Sequence, residues 1–154
     1  MTPPAEKQHV LVQWNDAAKV GLEEIDTQHH RLFDLTNSLW HGIITRASRE
    51  EIMALFDALE EYTQTHFADE ESLMDLCGYP ELEKHRKEHR AFIGFVAAEK
   101  AKLEDGEGNP MEQVRFLADW LQKHIMQRDK AFAFYFSDKG KRASLWDKIR
   151  RIFG

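Results

Sequence analysis

The stretch HFADEESLMDLCGYPELEKHRKEH, residues 66–89, sets two pairs of donor side chains, His66 with Glu70 and His85 with His89, on either side of Cys77-Gly78-Tyr79-Pro80. Side chains four residues apart lie on one face of an α-helix, so each pair can present two donors to a common point. Between the pairs, Gly78 can take the left-handed conformation that ends a helix, and Pro80 suits the first turn of the next. A connection this short makes the two helices antiparallel neighbours.

The same periodicity continues outward from this hairpin. Upstream, Ser48-Arg49-Glu50-Glu51 is a capping-box pattern, and Ile52, Leu55, Leu59, Tyr62, His66 and Leu73 form the expected inner face of the helix it opens. An earlier helix is marked by Ile25, His29, Leu32, Leu39 and Ile43. Downstream, Leu82, His85, His89, Phe92, Val96 and Leu103 run to the turn-rich Asp105-Gly106-Glu107-Gly108-Asn109. There Asn109 as N-cap and Pro110 at the first helical position open a fourth helix that buries Val114, Leu117, Leu121, His124, Ile125, Phe132 and Phe136. The expected fold is all-α, an antiparallel up-down-up-down four-helix bundle. An N-terminal arm, residues 1–19, is anchored by Trp14, and a short C-terminal amphipathic helix follows the bundle. At 154 residues one substantial core is expected, a single bundle domain over residues 1–140 with a tail over 141–154.

Seven side chains with metal-binding chemistry fall on these buried stripes: His29, His66, Glu70, His85, His89, His124 and Asp129. Imidazole suits iron, zinc and copper, and carboxylates can bridge two cations. A core of both types donated by several helices reads as a dinuclear iron centre. Left without a cation, such a buried polar cluster carries a large desolvation cost. His124 and Asp129 fit least tidily, because five residues turn an ideal helix by about 140°. Either the last turn is distorted or the two side chains straddle the inner face. His9, His30 and His41 lie off the stripe and read as surface contacts; Glu71 reads as a solvated charge. Asp26, one turn before His29, reads as a cap or as a partner that orients a ligand.

These residues resemble the haemerythrins, specifically the single-domain bacterial haemerythrins. The likeness is carried by Ile25-Asp26-Thr27-Gln28-His29-His30-Arg31-Leu32, by His66-Phe67-Ala68-Asp69-Glu70-Glu71, by His85-x-x-x-His89, and by Trp120-Leu121-Gln122-Lys123-His124-Ile125 followed by Asp129. It extends over about residues 14–136. The resemblance implies two iron ions. His85, His89 and His124 would bind one and His29 and His66 the other, with Glu70, Asp129 and an oxo or hydroxo group bridging them. It also implies reversible dioxygen binding, for transport, storage, delivery or sensing, at a position left open on the iron held by His29 and His66. Leu121, Phe67 and Trp120 are the expected apolar wall of that oxygen pocket. The alternative is a di-iron enzyme that turns over peroxide, O2 or nitric oxide. Oxygen-activating centres of the ferritin type use paired Glu-x-x-His motifs, which are missing here, so a binding protein rather than an enzyme is expected.

Composition narrows the partners. A net charge of -6 argues against general nucleic-acid binding, which needs a basic surface. The single cysteine cannot form an internal disulfide, and the first residues lack the apolar stretch of a signal peptide. A cytoplasmic monomer is expected. Leu145, Trp146, Ile149, Ile152 and Phe153 form an apolar stripe beside Lys141, Arg142, Lys148, Arg150 and Arg151. That pattern fits a helix lying on an anionic membrane at the inner face, docking a protein partner, or packing back on its own bundle.

Overall fold

The computed structural model describes residues 8–137 together with 150 and 151. Four long helical stretches form the bundle: α1 (Glu23–Ile44), α2 (Arg49–Cys77), α3 (Leu82–Glu104) and α4 (Pro110–His124). α4 passes through a π-helical turn, Ile125–Asp129, into α5 (Lys130–Phe136). α1 packs on α2 and α4, and α3 packs on α2 and α4, the cyclic contact pattern of a four-helix bundle. The proposed C-terminal amphipathic helix falls almost wholly outside the described residues.

Local chemistry sets the boundaries. Ser48 caps α2 by accepting a hydrogen bond from the Glu51 N–H, and Asn109 caps α4 by accepting from Met111 and Glu112, with Pro110 at the first turn. Gly78 ends α2 with φ of 66°, and the Tyr79 N–H bonds back to the Met74 carbonyl. This is the left-handed cap that the sequence led one to expect. Pro80 stands two residues before α3, within the turn rather than in the helix.

Two apolar layers hold the helices together. The larger contains Leu32, Leu39, Phe56, Leu59, Phe92, Val96, Leu117 and Leu121, and the smaller joins Ile25, Leu73, Met74, Phe132 and Phe136 with Leu22. Polar side chains occupy the level between them: His29 lies between Ile25 and Leu32, and Glu70 between Phe67 and Leu73. The arm is described from residue 8. A short 3-10 turn spans Asp16–Ala18, and the Trp14 ring packs edge-on against Phe33 and His30. Asn37 fixes the arm more firmly. Its Oδ1 accepts the N–H groups of Leu11 and Val12 at 2.9 Å each, and its Nδ2 donates to the Val12 carbonyl at 2.7 Å.

The inner face of α2 differs from the sequence expectation. Phe56, Thr63 and Phe67 are buried, while Ile52, Leu55 and Tyr62 are only half-buried at the edges of the core. Thr63 tolerates burial because its hydroxyl donates to the Leu59 carbonyl at 2.6 Å. Among the described residues, no helix is long and apolar enough to cross a membrane.

Candidate metal centre

Antiparallel packing brings the start of one helix level with the end of its neighbour. His29 sits early in α1, His66 and Glu70 late in α2, His85 and His89 early in α3, and His124 at the end of α4. All seven side chains singled out from sequence meet at one level of the bundle, and none is more than 5% exposed. Their ligand atoms fall into two sets, Glu70 with His85, His89 and His124, and Glu70 with His29, His66 and Asp129. Within each set the atoms lie within 4.8 Å of one another.

Both carboxylates face the two sets with different oxygens. Glu70 Oε1 lies 2.6 Å from His85 Nε2 and 3.3 Å from His89 Nε2, while Oε2 lies 3.3 Å from His66 Nε2 and 3.6 Å from His29 Nε2. Asp129 repeats the division. Oδ1 lies 3.1 Å from His85 Nε2 and 3.3 Å from His124 Nε2, and Oδ2 lies 3.0 Å from His29 Nε2. A carboxylate placed in this way can bridge two cations.

The donor set fits such cations. His124 Nε2 lies 3.0 Å from His89 Nε2 and 3.1 Å from His85 Nε2. Imidazole nitrogens bound cis on one octahedral ion, with bonds of about 2.1 Å, stand about 3 Å apart. His29 Nε2, Glu70 Oε2 and both oxygens of Asp129 lie at ion-pair distance from one another or from neighbouring imidazoles but make no well-directed hydrogen bond, and His29 Nδ1 is buried without one. Buried polar atoms are ordinarily satisfied, so this concentration of orphans at one point marks a place built for a ligand.

The π turn brings Asp129 into the cluster. Lys130 N–H bonds to the carbonyl of Ile125, five residues back, in place of the usual four. The wider turn aligns His124 with Asp129, so the distorted-turn alternative is the one the fold adopts.

Three imidazoles are backed from the preceding helix. Gln28 of α1 stands with Oε1 2.5 Å from His66 Nδ1, and its Nε2 donates to Asp69 at 3.0 Å. Glu71 of α2 places Oε2 3.3 Å from His89 Nδ1, and Glu88 of α3 places Oε2 3.4 Å from His124 Nδ1. Glu71 is therefore not the solvated charge expected from sequence. Each backing residue adjoins a ligand in the chain, a sequence signal that the spacing argument did not use. Asp26 plays a different part, accepting the Val20 and Gly21 N–H groups and tying the arm to the start of α1.

Electrostatics follow from these contacts. Burial lowers the His66 pKa despite Glu70 beside it. Burial would also lower His29 and His85, but the close approach of Asp129 and Glu70 to both holds them up to about 9. Burial would raise Glu70, yet the surrounding histidines hold it well below the usual carboxylate range. Asp129 is held low as well, against burial and the Glu70 charge, chiefly by His124 and His29. The core thus keeps two ionised carboxylates, held in the metal-free chain by the positive charge of protonated His29 and His85.

Of the expected pocket residues, Phe67 stacks on His89 with ring centroids 3.6 Å apart, and Trp120 stacks on His124 at 4.6 Å. Leu121 is buried in the larger apolar layer. His30 pairs loosely with Asp34, and the His41 ring accepts a hydrogen bond from the His9 backbone, both away from the cluster.

The sequence matches the hemerythrin HHE cation binding domain over residues 20–133. A bacteriohemerythrin of Stenotrophomonas maltophilia is 36% identical over 123 residues, covering 80% of each chain. A bacteriohemerythrin of Methylococcus capsulatus is 36% identical over 125 residues, covering 79% of this chain and 94% of its own. A crystal structure of wild-type hemerythrin superposes with a TM-score of 0.76 at 33% identity, over 83% of this chain and 99% of that one.

Proposed function

The chain belongs to the hemerythrin family, and on that footing we propose that it binds dioxygen reversibly at a pair of non-haem irons, for transport, storage, delivery or sensing. In this reading His85, His89 and His124 would hold one iron and His29 and His66 the other, with Glu70 and Asp129 shared between them. The observation that carries it is the division of the Glu70 oxygens between the two histidine sets.

When bound, the irons would supply the electrons and the open coordination position that dioxygen binding needs. The protein's own part is positioning and exclusion. The five Nε2 atoms converge without rearrangement, and the two carboxylates would offset half of the positive charge of a ferrous pair inside a low-dielectric core. Phe67 and Trp120 brace the rings of His89 and His124, and with Leu121 they form an apolar wall that keeps water from the centre. Dry surroundings favour release of the gas unchanged over its escape as a reduced product.

Iron quantification together with absorption spectra of the reduced protein, before and after O2, tests this reading. The expected result is about two irons per chain, as two octahedral donor sets require, and a coloured form that reverses when O2 is removed. Rapid irreversible oxidation with consumption of peroxide, O2 or nitric oxide would favour the di-iron enzyme instead.

A further inference from the structure

The groups backing the imidazoles differ between the two halves of the cluster. On the side of His29 and His66, His66 Nδ1 meets an uncharged amide, Gln28, whose own Nε2 is occupied by Asp69. On the side of His85, His89 and His124, the backing groups are carboxylates: Glu71 behind His89 and Glu88 behind His124. Each of these carboxylates is clamped by an arginine through its other oxygen. Arg86 Nε lies 3.3 Å from Glu71 Oε1, and Arg128 Nε lies 2.9 Å from Glu88 Oε1. Arg86 is itself fixed by Glu83 at 2.5 Å, and Arg128 is presented by the π turn.

A carboxylate accepting the Nδ1–H of an imidazole draws the proton away from the ring and makes Nε2 the stronger donor to a cation. A neutral amide fixes the ring without supplying charge. We propose that Glu71 and Glu88, held by Arg86 and Arg128, are positioning residues that make the three-histidine half the tighter of two unequal cation sites, so that the centre fills there first and empties from the His29–His66 side first. This rests on the dinuclear reading above and adds to it an order of assembly.

Titration of the metal-free full chain with Co2+ against a competing chelator, followed by the cobalt absorption bands, tests it without recourse to oxygen binding. Wild-type protein should show two separate binding steps. His66→Ala should abolish the weaker step and keep the stronger, and His89→Ala should do the reverse. Glu71→Gln and Glu88→Gln, which keep shape and remove charge, should each weaken the stronger step by about tenfold and leave the weaker one in place. Gln28→Glu, an independent change on the other half, should tighten the weaker step. Equal affinities in the wild type, or charge-removing variants that shift neither step or both alike, overturn the proposal while leaving a dinuclear site standing. Uptake of fewer than two Co2+ ions by the wild type overturns the dinuclear reading itself and this inference with it.

Discussion

His124 and Asp129 are five residues apart in the chain, yet His124 Nε2 and Asp129 Oδ1 lie 3.3 Å apart, brought together by the π turn that joins α4 to α5. A π turn is an α-helix accommodating one extra residue, and such turns concentrate at functional sites. The turn aligns the last carboxylate with the cluster and still delivers Phe132 and Phe136 to the smaller apolar layer.

Removing that extra residue should convert the turn to regular α-helix without dismantling the site. Met126 is 42% exposed, and its deletion would leave His124 and Asp129 four apart, on one helical face. The deletion variant should keep the Co2+ stoichiometry of the wild type. Loss of one bound ion would contradict this account of the turn.

pH should separate the metal-free from the metal-loaded protein. His29 and His85 are held up to about 9 when no cation is present, against 6.5 for an ordinary histidine. Their protonated forms stabilise the metal-free fold fully below about 6.5, and that contribution is lost as pH rises through about 9. Cation binding needs both rings deprotonated and so releases protons. The rise in melting temperature on adding Zn2+ should therefore grow between those pH values, as scanning calorimetry would record. A flat or shrinking rise would count against the assignment of charge.

Stability and site should be separable in the larger apolar layer. Phe56 is fully buried ten residues before His66 on α2, roughly 15 Å along the helix axis. Phe56→Ala should cost about 3–5 kcal/mol in urea unfolding. Co2+ stoichiometry should not change.

Asn37 governs the arm alone. Asn37→Ala removes the acceptor of two arm N–H groups and the donor to the Val12 carbonyl. A cost of about 1–3 kcal/mol is expected, borne by the arm. Amide hydrogen exchange at Leu11 and Val12 should accelerate strongly while exchange in the middle of α2 and α3 stays slow.

Much of this architecture was legible in the sequence because its determinants are local. Capping at Ser48 and Asn109, the left-handed Gly78 and the four-residue spacing of His66 with Glu70 and of His85 with His89 each follow from rules that act within one or two turns. What escaped depends on neighbours. α2 packs against both α1 and α3, so its deepest line falls between the apolar residues that periodicity selects. Thr63 satisfies its own hydroxyl and is hidden from any count of apolar positions. Glu71 looked like a solvated charge because its partners, His89 and Arg86, lie on another helix, and Asn37 drew no reading because its partners are backbone groups of the arm. The alignment of His124 with Asp129 required a backbone distortion that spacing alone could pose as an alternative but not decide.

Anomalous scattering at the iron edge from crystals of the iron-loaded protein tests the central claim most directly. Two peaks are predicted, one on each side of the Glu70 carboxylate, the first among the Nε2 atoms of His85, His89 and His124 and the second beside those of His29 and His66. A single peak, or none among these side chains, would contradict it.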